Sequence, residues 1–128
     1  MWGFDDAQQQ YNQCQDPNQA SLGHEVLAGG ASFIAMREWE EHQRKEGKQV
    51  DHSFAKEMIA GFAGAEVDRL AETKGADFVD REEARRQARD NAHQLYDQQY
   101  GQDQYYDPNQ RQPHERIQES FESRNGNW

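Results

Sequence analysis

Apolar side chains recur at helical spacing through the middle of the chain and nearly vanish at its two ends. From about Ser21 to Glu46 the stripe Leu22, Val26, Leu27, Gly30, Phe33, Ile34 and Trp39 follows the i, i+3/i+4 rule of an amphipathic helix. Ser21 can cap its start, Arg44 and Lys45 suit its last turn, and Gly47 supplies a left-handed stop. A second stripe, Phe54, Met58, Ile59, Phe62, Val67 and Leu70, predicts a helix from about Phe54 to Lys74, capped by Asp51 or Ser53 and stopped by Gly75. A third helix starts near Asp77, where Asp77 and Asp80 resemble a capping box, and runs to about Tyr100. Its apolar face is narrow: Ala84, Ala88, Ala92 and Leu95/Tyr96. No run alternates apolar and polar residues with β-branched enrichment, so no strand is predicted.

The pattern divides the chain into a Gln-rich segment over 1–19, a three-helix domain over 20–100 and a polar Gln/Asn/Tyr-rich tail over 101–128. Both ends are expected to be mostly disordered, apart from a short helix over Glu115–Arg124. The short connections favour antiparallel neighbours. The predicted fold is therefore all-α: a helical hairpin, a third helix and disordered Gln/Tyr-rich ends.

The hairpin carries an internal echo. "SLGHEVLAGGAS" and "SFAKEMIAGFAG" pair Glu25 with Glu57, Ala28 with Ala60, Gly29 with Gly61 and Ala31 with Ala63, as if one Gly/Ala-rich unit were duplicated. A glycine inside a helix costs roughly 0.5–1 kcal/mol relative to alanine, so Gly29, Gly30, Gly61 and Gly64 need a reason. Close approach of two backbones is the favoured one. The alternative is a gap for a flat ligand beside Gly29, Gly30, Phe33, Trp39, Gly61, Phe62 and Gly64.

Composition narrows the function. The chain has 128 residues, 34% hydrophobic and 30% charged, so its core is small and a homodimer is expected to add stability. A net charge of −10 argues against nucleic acid or an anionic membrane surface as partner. Val26–Met36, the most apolar stretch, is too short for a membrane span. One cysteine, Cys14, and a start without a signal-type h-region point to a reducing, cytoplasmic setting.

At this point a family resemblance appears. "HEVLAGGASFIAMREWEEHQRKEGK" followed by "AGFAGAEVDRLAETKG" and "DFVDREEA" resembles the CipC-like antibiotic-response proteins of fungi (concanamycin-induced protein C and relatives) over about residues 1–100. The opening "WGFDD" is similar too, with Trp2 and Gly3 in reversed order. The resemblance implies a small intracellular protein of stress and antibiotic response, and it carries no catalytic residue over.

The residues themselves offer no catalytic constellation. His24, His42, His52, His93 and His114 lack HExxH or His-x3-His spacing, and Glu-x-x-His is absent, so neither a metal nor a cofactor is expected. Glu25 and Glu57 would lie at opposite ends of an antiparallel pair, too far apart for one acid/base couple. Cys14 has no base at fixed spacing, and no GxSxG elbow, GxGxxG or Walker pattern is present. Arg81, Arg85, Arg86 and Arg89 form a basic stripe that Glu82, Glu83 and Asp90 offset; it could seat an acidic partner, but an ordinary charged face explains it. The tyrosine-bearing tail could drive weak self-association. The expectation is a non-catalytic protein acting through an unknown protein partner or self-association, with a small-ligand binder as the alternative and an enzyme third.

Overall fold

The computed structural model describes residues 2–15, 23–74, 78–109 and 111–125. Five helices are present among them: α1 Phe4–Gln15, α2 His24–Glu46, α3 His52–Lys74, α4 Phe78–Tyr100 and α5 Glu115–Asn125. Helix α2 is the centre. It touches α1, α3, α4 and α5, while α3 and α4 also pack against each other. Every residue from Leu27 to Met36 is buried, a helix covered all round rather than along one stripe.

The signals that bound the central helices work as local chemistry requires. Gly47 sits at φ 68° and its N–H donates to the Gln43 carbonyl at 2.8 Å, closing α2. Asp51 Oδ1 accepts from the Phe54 N–H at 2.8 Å and caps α3, which begins slightly earlier than the stripe suggests. Gly23, not Ser21, stands at the N-cap of α2; Ser21, Gly75 and Asp77 lie outside the described residues. In α4 the alanine face is fully buried: Ala84, Ala88, Ala92, Leu95 and Tyr96 are each 0% exposed.

The described parts of the two ends differ from the disorder that their composition suggests. Helix α1 buries Phe4, Ala7 and Cys14, with Tyr11 half-buried, a spacing that places all four on one face. Gly3 N–H donates to Asp6 Oδ2 at 2.9 Å, tying down its first turn. After α4 the chain forms a strap over residues 101–109. Val50 and Tyr106 exchange both backbone hydrogen bonds at 3.0 Å, an isolated antiparallel bridge. Tyr106 and Ile117 are fully buried in the common core, and α5 lies against α1 and α2. Aromatic rings and small side chains here replace the aliphatic residues that the ends lack.

Candidate functional site

The two glycine pairs do not share a face. Gly29 and Gly30 are buried against α1. A Cβ at Gly30 would lie 2.5 Å from Cys14 Sγ and 3.4 Å from Tyr11 Cα, and one at Gly29 would overlap the side chain of Gln10. Phe33 packs beside Tyr11, ring centroids 5.2 Å apart, and Trp39 is fully buried. Gly61 and Gly64 are different: a Cβ at either meets nothing within 4 Å. No interhelix gap is shared by the two pairs. Gly30→Ala is therefore expected to destabilise the fold by about 1–3 kcal/mol through overpacking. Gly61→Ala is expected to stabilise it by about 0.5–1 kcal/mol. Urea unfolding of the two variants checks the opposite signs.

Around Gly61, helix α3 presents an open apolar stripe. Phe54 is 51% exposed, Gly61 and Ala65 are exposed, and Met58 and Phe62 are half-buried. Glu57, Met58, Gly61, Phe62 and Ala65 line a shallow groove of about 370 Å³. Charged pairs flank it: Lys56 Nζ with Asp97 at 2.7 Å, Arg85 Nη2 with Asp68 at 2.7 Å, and Arg69 with Glu38 and Glu66. An exposed apolar strip rimmed by charge is the ordinary anatomy of a contact surface.

A second cluster is closed. Glu40 on α2 is 0% exposed and accepts from Tyr100 Oη, from Tyr106 Oη at 3.0 Å and from Arg44 Nη2 at 3.4 Å. Burial pushes its carboxyl above the usual range, against the pull of these donors. Burial foremost, with the neighbouring Glu40 charge, also raises the Tyr100 and Tyr106 phenols. Trp39 stands over the cluster with ring centroids 4.5 Å from Tyr106 and 5.6 Å from Tyr96. Its buried Nε1 has no hydrogen-bond partner, a local cost that the packing offsets.

Arg44 carries the node outward, donating to the Pro108 carbonyl at 2.8 Å and the Arg111 carbonyl at 2.9 Å. His52 holds the strap as well. Its Nε2–H donates to the Asp103 carbonyl at 2.6 Å, leaving Nδ1 to accept from Tyr96 Oη at 2.5 Å. With its carboxylate sealed and matched by three donors, the node acts as an anchor for the strap. Sequence reasoning missed it, although Glu40 lies four residues beyond Met36 and seven beyond Phe33, so a charge on the buried stripe was the available signal.

The remaining candidates are separate. Arg85 pairs with Asp68 and Glu82, and Arg86 with Glu83 and Asp90, so the α4 stripe is largely neutralised; Arg81 is half-buried and Arg89 exposed. Glu25 and Glu57 are exposed on different helices. His93 Nε2 donates to the Lys56 carbonyl at 3.1 Å. His114 stacks on Phe4 at 4.0 Å, and its Nδ1 accepts the Arg116 N–H at 3.1 Å, capping α5.

Burial holds the His114 ring below its ordinary pKa of 6.5. Its contribution to stability is thus complete above pH 6.5 and lost as the pH falls from there through the folded value. A His114→Asn variant, which caps without titrating, is expected to lack that loss when urea unfolding is compared at neutral and mildly acid pH.

Among the described residues, no group of three or more His, Cys, Asp or Glu side chains is placed to hold a metal ion. No described helix is long and apolar enough to cross a membrane. The family model of CipC-like virulence factors matches residues 7–99, which span α1 through most of α4 and leave the strap and α5 outside. No curated protein and no solved structure matches the chain.

Proposed function

Since the chain belongs to the family of CipC-like virulence factors, we propose that it is a non-catalytic, cytoplasmic stress- or antibiotic-response protein that works through protein contact. The observation that carries this is the open stripe on α3. Phe54 is 51% exposed and a Cβ at Gly61 or Gly64 would meet nothing within the chain, which leaves an apolar strip open to solvent. Surface of that kind gains free energy when a partner removes it from water. The α4 arginines contribute at most a rim, because their charges are already matched.

A photo-crosslinking residue at position 54, compared with one at the exposed Lys45, tests the proposal in cells. A discrete conjugate from position 54 alone is expected. Equal labelling from both positions, or none from position 54, contradicts a contact role for α3. The ligand-binding alternative keeps one supporting observation: the groove of about 370 Å³ at Gly61 and Phe62 falls within the size range of small-molecule pockets. Its mark would be a compound that co-purifies with the chain and is lost in Gly61→Leu while the helices persist.

A further inference from the structure

We infer that the partner of the α3 stripe is a second copy of this chain, packed antiparallel about a two-fold axis between Met58 and Gly61. This rests on the contact role proposed for α3. The stripe Phe54, Met58, Gly61, Ala65 has the 4-3-4 spacing of a coiled-coil seam. Along it, size is polarised: two large side chains, then two small ones. A two-fold interface presents the same surface from both sides and must be self-complementary. An antiparallel copy meets that demand, because Phe54 falls on the partner's Ala65 and Met58 on the partner's Gly61, each large side chain over a small one. A parallel copy sets Phe54 against Phe54 and leaves a void where Gly61 meets Gly61.

Side-chain size, not charge, fixes this pairing: in the same register Asp51 falls opposite the partner's Asp68, whose carboxylate already pairs with Arg85 at 2.7 Å. Gly61 acquires a reason as well. A Cβ at Gly61 meets nothing within its own chain, so the helix-propensity cost of that residue is unexplained in a monomer and is explained by the partner's Met58.

A single-helix seam is a small interface, so the dissociation constant is expected on the order of 1–100 μM. Sedimentation of the purified full chain across that range tests it, with Gly61→Leu as the variant. Open space at Gly61 lets the monomer fold unchanged, which circular dichroism verifies, while the leucine blocks the partner's Met58 and weakens the dimer at least about tenfold. The register is tested by disulfide formation between Phe54→Cys and Ala65→Cys chains. An equimolar mixture should cross-link faster than either variant alone.

Self-linking of each variant with no advantage for the mixture means a parallel pair and overturns the inference. So does a dimer indifferent to Gly61→Leu. A chain monomeric at about 1 mM also overturns it. In that case the contact role of α3 still stands if position 54 cross-links to a different protein in cells, and falls with the inference if it does not.

Discussion

Glu40→Ala is expected to cost about 3–5 kcal/mol, the penalty for breaking a buried charged cluster by removing one partner. The wild-type carboxylate collects Tyr100 Oη, Tyr106 Oη and Arg44 Nη2 inside a site with no exposure. Deleting it leaves two fully buried phenols without their acceptor, strips Arg44 of its ion pair, and opens a cavity in the core. Glu40→Gln keeps the volume and one carbonyl acceptor, so its loss is expected to be smaller, about 1–3 kcal/mol. Urea unfolding followed by circular dichroism measures both. A Glu40→Ala loss under about 1 kcal/mol would mean that the cluster does not hold the strap in solution.

Ending the chain at Gly101 is the second large perturbation. It removes Tyr106 and Ile117 from the core, each fully buried and each worth about 1.5–3 kcal/mol of transfer free energy. It also takes away the Tyr106 hydrogen bond to Glu40 and the carbonyls of Pro108 and Arg111 that Arg44 uses. The freed strap recovers chain entropy, which offsets part of the loss. A net loss of at least about 3 kcal/mol is expected, a large share of the stability of a small domain. In melting temperature that is a fall of more than about 12 °C.

Because Glu40 and the strap act on the same cluster, Glu40→Ala should cost less in the truncated chain than in the full one. Equal melting of the two chain lengths would contradict a structural role for the residues beyond the family match.

How much of this was legible depended on whether a feature is local. Gly47 ends α2 and Asp51 starts α3 through their own backbone and side-chain geometry, so sequence spacing located both. The alanine face of α4 and the start of α5 were equally plain, because periodicity and caps are properties of a short window. Helix α1 and the strap were not. Composition weighed their missing aliphatic residues, yet Phe4, Ala7, Cys14 and Tyr106 bury well enough at the right spacing once α2 offers a surface.

The glycines show the same limit most clearly. Gly29 and Gly61 occupy equivalent places in the repeated pattern, but one is covered by α1 and the other by nothing in its own chain. Which neighbour covers a residue is a tertiary fact that a local pattern does not carry. Glu40 was overlooked because neighbouring Glu38 and Glu41 made it look like one more surface charge.

The most direct measurement is native mass spectrometry of the protein purified gently from its own cells. Contact as the mode of action is expected to give masses that are whole multiples of the chain, with a dimer that diminishes in Gly61→Leu. A reproducible extra mass on each chain, surviving gentle purification and lost with Gly61→Leu, would contradict it and make the α3 groove a small-molecule site.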